Sequence, residues 1–206
     1  MTIHLYRGDL PHGLELGAVV ALDTETMGLN PQRDRLCLVQ LSGGNGVCHA
    51  VQIPPTGGGR HAAPNLQRLL EDPAVLKLFH FARFDIATLK HHLGATCRPV
   101  YCTKTASRLA RTFTDRHGLK DLCRELLGIE VSKQQQTSDW GAEDLTPEQF
   151  RYAASDVLHL HALKGKLDEM LRREGRRELA QACFDFLPTR AELDLAGWAE
   201  VDIFEH

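Results

Sequence analysis

Three short apolar, β-branched runs follow one another at residues 18–24, 36–41 and 47–53, with only turn residues between them. Strands this close together, punctuated by turns, predict an antiparallel meander at the start of the fold. The Pro/Gly-rich stretch at 54–60 reads as a surface loop, and beyond it the hydrophobic period changes. Residues 65–70 read as a short helix and 76–81 as a buried strand. Residues 84–92 form a helical pattern with Gly94 just past its end. Further expectations are a short strand at 100–102 and helices at 105–112 and 119–127, the second closed by Gly128. Strands followed by alternating strand and helix predict an α/β fold with a mixed sheet, antiparallel at its N-terminal side and flanked by helices.

The clearest helix begins at Thr146. Thr146 is the expected N-cap, Pro147 takes the first helical position, and Gln149 completes a capping box three residues on. Apolar residues from Phe150 to Leu167 keep helical spacing for more than five turns, which predicts one long helix. A last helix is expected at 176–184, followed by an apolar tail carrying Leu195, Trp198, Val201 and Phe204. So much apolar surface at 191–206 predicts packing against a neighbouring subunit.

Four carboxylates and a tyrosine carry the chemistry. Asp23 and Glu25 end an apolar strand two residues apart, so period two places both on one face. Neighbouring anions repel unless a cation lies between them; the alternative is a polar strand end in solvent. Asp85 opens a helix, where it could serve the helix dipole instead. Tyr152 and Asp156 are i and i+4 on the long helix and face the same way. Asp156 interrupts an apolar stripe, a costly place for a carboxylate unless a partner such as a metal ion compensates. Acidic side chains that hold two metal ions can stabilise the attacking and leaving oxygens of a phosphoryl displacement. The set therefore points to phosphodiester cleavage.

Composition narrows the substrate. The formal net charge is −3, whereas proteins that grip long nucleic acid show a basic surplus; a short nucleic acid suits this balance better. The 206 residues, 43% of them hydrophobic, suit one domain spanning 1–206. No apolar stretch approaches the ~18 residues of a membrane helix, and the N-terminus lacks a signal-peptide pattern, which predicts a soluble cytoplasmic protein. The six cysteines form no C-x-x-C pair and read as reduced core thiols, with a zinc site built from Cys97, Cys102, His91 and His92 as the weaker alternative.

The ordered pattern D-x-E, then F-D, then Y-x-x-x-D resembles the DEDD 3′–5′ exonuclease superfamily in its tyrosine variant. The sister variant carries a histidine where this chain has Arg151. The strings DTETMGLNPQRDRLCLVQLS, HFARFDIATL, CTKTASRLARTFTDRHGLK, SKQQQTSDW and YAASDVLHLHALK are similar to the nano-RNase C family, single-domain relatives of ribonuclease D. That resemblance implies an RNase H-like (DnaQ-like) fold. It implies two divalent cations, Mg²⁺ or Mn²⁺, ligated by Asp23, Glu25, Asp85 and Asp156, with Tyr152 orienting or deprotonating the attacking water. It implies a 3′–5′ exoribonuclease acting on very short RNA, down to dinucleotides, within a ring-shaped homo-octamer. A general 3′–5′ exonuclease acting on longer RNA or on DNA is the alternative.

Substrate-binding candidates follow from motif position: Thr24, Met27, Gly28 and Leu29 beside the first motif, and His80 and Phe84 beside the second. Leu29 matches the leucine that wedges between two bases in short-RNA exonucleases; the alternative is a turn leucine anchored in the core. Gly28 would let the backbone approach the substrate. Arg116, His117, Lys133, Gln134 and Gln136 are candidates for the far 5′ phosphate and sugar hydroxyls. Trp140 could stack on a base or seal the domain, and His159 and His161 are expected on the helix surface.

Overall fold

A computed structural model describes residues 1–132 and 134–206; Lys133 lies outside the described residues. Six strands form one sheet: β1 (Thr2–Arg7), β2 (Val19–Thr26), β3 (Leu36–Ser42), β4 (Val47–Gln52), β5 (Leu76–Phe79) and β6 (Val100–Cys102). Their order is β1-β4-β3-β2-β5-β6. The expected meander is present: β2 pairs antiparallel with β3, and β3 with β4. β5 joins β2 in parallel and β6 joins β5 in parallel. All seven residues of β3 are buried, as the central strand of a two-faced sheet requires.

Strand β1 is absent from the sequence reading. It runs parallel to β4 with Thr2 opposite Val47 and Arg7 opposite Gln52. As an edge strand it is mostly exposed, so it carries neither an apolar run nor clean alternation.

The helices are α1 (Pro64–Glu71), α2 (Ala82–Leu93), α3 (Thr103–Ala110), α4 (Leu119–Leu122), α5 (Pro147–Leu158), α6 (Leu160–Arg173) and α7 (Arg177–Leu193). α2 ends on Gly94 in the left-handed region, as expected. α4 runs into a π-helical turn at Cys123–Leu127 that Gly128 closes. α5 packs across β2, β3 and β4, and α2 packs on β2, β3, β5 and β6.

Two helix expectations require correction. The single long helix divides at His159, which ends α5 and begins α6. No proline or glycine marks the junction, so the apolar period runs through it. The turn lets α6 bury Leu160, Leu163, Leu167 and Leu171. The last helix extends far beyond residue 184, through Pro188 to Leu193 and a π-helical turn at Asp194–Trp198. Pro188 forfeits one backbone hydrogen bond, yet its ring is buried.

The tail folds back onto its own chain. Asp194 takes two hydrogen bonds from Arg83, and Arg83 also donates to the Ala199 carbonyl at 2.6 Å. Trp198, Val201, Ile203 and Phe204 stay exposed. All six cysteines are free thiols, five of them buried.

Candidate active site

The site lies at the end of β2. Val20, Ala21 and Leu22 are fully buried and fix the strand, so the alternation that follows aims Asp23 and Glu25 to one face and Thr24 to the other. From across that face comes α5, whose start is set by the predicted capping box. The Gln149 amide donates to Thr146 Oγ1 at 3.2 Å, and the Thr146 amide donates to Gln149 Oε1 at 2.8 Å. With its start fixed, α5 turns Tyr152 and Asp156 toward β2. Asp23, Glu25 and Asp156 each offer an oxygen within 4.8 Å of the others.

Asp85 is placed differently. It is 3% exposed in the first turn of α2 and accepts a hydrogen bond from Thr24 Oγ1 at 2.7 Å. Thr24, taken from the sequence as a substrate contact, thus holds a carboxylate while also lining the cleft. Asp85 stands behind the other three, close enough for its charge to act on Glu25.

Electrostatics describe a site short of positive charge. Burial raises Asp23 to about 7, against a hydrogen bond from the Thr24 backbone. Burial, then the charges of Asp23, Asp156 and Asp85, raises Glu25 to about 10. Asp85 is pushed well up by burial and by Asp23. Tyr152 is raised by burial, by the charges of Asp156, Glu25 and Asp23, and by its hydrogen bond to Asp156. Desolvated anions in mutual contact are costly without a cation, so the donor set fits divalent metal ions with oxygen ligands.

Asp23, Glu25, Tyr152 and Asp156 line a cleft of about 600 Å³. Of the substrate candidates, Thr24, Met27, Gly28, Leu29, His80, Phe84 and Gln136 line it. Leu29 is 88% exposed, which excludes the core-anchor alternative. Its loop is closed by hydrogen bonds: Asp34 accepts from the Asn30 amide at 2.9 Å and the Asp34 amide donates back to the Asn30 carbonyl at 2.8 Å. Gly28 is explained by this loop: a Cβ there would lie 2.3 Å from Asp34 Oδ2. His80 Nδ1 pairs with Thr103 Oγ1 at 2.8 Å.

Arg116, His117 and Gln134 are not among the lining residues. His117 turns its Nδ1 to Ser107 Oγ at 2.8 Å, and Arg116 lies 3.8 Å from Glu125. They stand beside Gly118, which does line the cleft. Trp140 is 3% exposed, its ring centre 6.0 Å from that of Tyr152, so it seals the domain. His161 is not a surface residue: its Nε2 pairs with the Val19 carbonyl at 2.9 Å and its ring packs on Gly44. Among the described residues the cysteines and histidines proposed for zinc form no metal-ligating group.

Among the lining residues that sequence reasoning missed are Phe81, Lys104 and Lys120. Phe81 has φ of 70°, the sole non-glycine residue with positive φ among the described residues. A bulky side chain there is strained, and such strain gathers at functional sites. Its ring is 47% exposed, with Lys104 Nζ 4.2 Å from its centre. The only available signal was the string HFARF beside Asp85, where an aromatic residue precedes a helix start.

Comparison with known proteins agrees with this geometry. A family model described as 3′–5′ exonuclease matches residues 10–172. Brucella melitensis NrnC with bound Mg²⁺ superposes with a TM-score of 0.94 at 55% identity, covering 100% of both chains. The same Brucella protein bound to pGG gives 0.95 at 56% identity, covering 100% of this chain and 99% of that one. Ribonuclease D of Gluconacetobacter diazotrophicus is 38% identical over 157 residues, 76% of this chain. The chain spans about two fifths of the length of that curated relative, 39%. A mixed sheet with this carboxylate end, matched over most of its length, has the RNase H-like fold, and the chain belongs to the 3′–5′ exonuclease family, in its ribonuclease D-like branch.

Proposed function

We propose that this chain is a metal-dependent 3′–5′ exoribonuclease that hydrolyses very short RNA, dinucleotides included, to 5′-mononucleotides. The observation that carries the reading is the meeting of Asp23, Glu25 and Asp156 beside Tyr152, in a cleft that exposed Leu29 and Phe81 also line. The Brucella relative binds Mg²⁺ and, separately, pGG, which supports both the metal and the short substrate. A cleft of about 600 Å³ is sized for a small ligand, within the ~300–1,000 Å³ usual for such sites.

Asp23, Glu25 and Asp156 would hold one divalent cation, Mg²⁺ or Mn²⁺, with Asp85 serving a second through Asp23. When bound, such cations supply charge stabilisation to the attacking and leaving oxygens. The chain's own residues do the positioning. The Tyr152 hydroxyl, already hydrogen-bonded to Asp156, orients the attacking water beside the scissile phosphate. Leu29 wedges between the two bases, Phe81 offers its ring to one of them, and Lys104 and Lys120 meet phosphate charge. Gln136, which lines the cleft, would meet the 5′ phosphate or a sugar hydroxyl, and Arg116, His117, Lys133 and Gln134 are further candidates for that contact by their polar chemistry.

The unit spans residues 1–206 as one domain and works in the cytoplasm as a homo-oligomer, a ring of eight. The exposed apolar residues of its anchored tail support contacts with neighbouring subunits. No helix among the described residues is long and apolar enough to cross a membrane.

The test is a time course with Mg²⁺ or Mn²⁺ on 5′-labelled RNAs of two and seven nucleotides and a seven-nucleotide DNA, with EDTA as control. Faster clearance of the dinucleotide, abolished by EDTA, is expected. Equal rates on all three would favour a general 3′–5′ exonuclease, the second reading, which the ribonuclease D relatives support.

A further inference from the structure

Gln40 lies in the middle of β3 and is 0% exposed. Neither its Oε1 nor its Nε2 has a hydrogen-bond partner among the described residues. Burying an amide with both ends unmatched is unfavourable, and native proteins rarely keep such a group without a reason.

The surroundings supply one. Gln40 is directly opposite Asp23 in the antiparallel β2–β3 pair, so the two side chains share a face with Cβ atoms about 4.5–5.5 Å apart. On the other side its neighbour is Ala50 of β4, a methyl group with nothing to offer. Ser42, two residues along the same face, already gives its hydroxyl to the Val47 carbonyl at 2.7 Å. Asp23 is the polar group directly across the strand pair. A metal-bound carboxylate needs a partner for its free lone pairs, and such partners fix the ligand's orientation.

We infer that Gln40 is a positioning residue: its Nε2–H donates to the Asp23 carboxylate once that carboxylate turns to hold a divalent cation. The inference rests on the metal-site reading above. Without the cation the amide is unmatched; with it, the amide and the carboxylate satisfy each other. Gln40 thus weakens the metal-free fold and strengthens the metal-bound one.

The experiment compares Gln40→Met, Gln40→Leu and Asp23→Asn with the parent, as full-length chains. Thermal midpoints are measured without metal, Mn²⁺ affinity by titration with electron paramagnetic resonance of the free ion, and turnover against Mn²⁺ concentration. The expected result is a higher metal-free midpoint for Gln40→Met or Gln40→Leu, with Mn²⁺ affinity lowered roughly 10- to 100-fold. Excess Mn²⁺ should restore most of their turnover, which a packing defect would not allow. A lower metal-free midpoint with Mn²⁺ affinity within twofold of the parent would overturn the inference, and would mean that Gln40 serves the fold through buried water. If Asp23→Asn bound Mn²⁺ like the parent, the metal-site reading itself would fall. Loss of binding in Asp23→Asn beside unchanged affinity in both Gln40 variants would sink the Gln40 role alone.

Discussion

Replacing Leu29 with alanine separates its two conceivable jobs, because the residue is 88% exposed in the free protein. Fully burying a leucine side chain is worth about 1.5–3 kcal/mol. Nearly all of that is still available for a substrate to capture, and alanine forfeits most of it. The loss is about 1–2 kcal/mol, or roughly 5- to 30-fold, in binding any ligand whose two bases close around the side chain. The free protein loses almost nothing, since exposed substitutions stay within about 0.5 kcal/mol and shift the melting temperature by no more than ~2 °C. The assay is single-turnover hydrolysis of a 5′-phosphorylated diribonucleotide by parent and Leu29→Ala, beside competitive inhibition by a 5′-mononucleotide. A mononucleotide has one base and nothing to wedge, so its inhibition constant should move less than twofold to threefold by the same area argument. Equal losses for both ligands, or an unchanged dinucleotide reaction, would refute the wedge.

The carboxylate cluster makes a second prediction. Asp23 is raised from 3.8 to about 7 in the folded chain, so its favourable neutral form is present at low pH, and the metal-free protein loses stability as pH rises from about 4 through about 7. Asp23→Asn should therefore melt higher than the parent without metal at pH 8, by several degrees at ~2–4 °C per kcal/mol, and gain nothing from Mg²⁺; a parent whose metal-free stability is flat over that range would contradict this. Tyr152→Phe should lower turnover ~10²- to 10⁴-fold while Mn²⁺ affinity stays within twofold; near-parent turnover would remove Tyr152 from the mechanism. Deleting residues 191–206 would cut into α7 and strip Asp194 from Arg83, so Trp198→Glu with Phe204→Glu is the cleaner probe of the tail. That pair should reduce the assembly size by light scattering, and an unchanged mass would end the tail's role. Thr146→Ala, which opens the capping box, should cost about 1 kcal/mol of stability, read by chemical denaturation; no loss would mean that packing alone sets the start of α5.

Much of this site was legible because backbone geometry converts spacing into direction. Two residues along a strand share a face, and four along a helix share a face, so the pairs Asp23/Glu25 and Tyr152/Asp156 declared themselves. The T-P-x-Q signature fixed the start of α5, and Gly94 fixed the end of α2. The break at His159 was not legible, since no local residue enforces it and the gain comes from burying the leucines of α6. Strand β1 was hidden for the opposite reason: an edge strand held by backbone pairing with β4 needs no distinctive side chains.

The sequence by itself therefore determined the chemical inventory and the local faces on which it is displayed, because those depend on a few neighbouring torsions. Only the tertiary structure decided which groups meet. It brought α5 to β2, set Asp85 behind Thr24 with a hydrogen bond, left Leu29 in solvent, drew Phe81, Lys104 and Lys120 into the cleft, and buried the Gln40 amide beside Asp23. Those meetings join residues up to 133 positions apart (Asp23 and Asp156). They are fixed by how whole elements pack, which no local run of residues specifies.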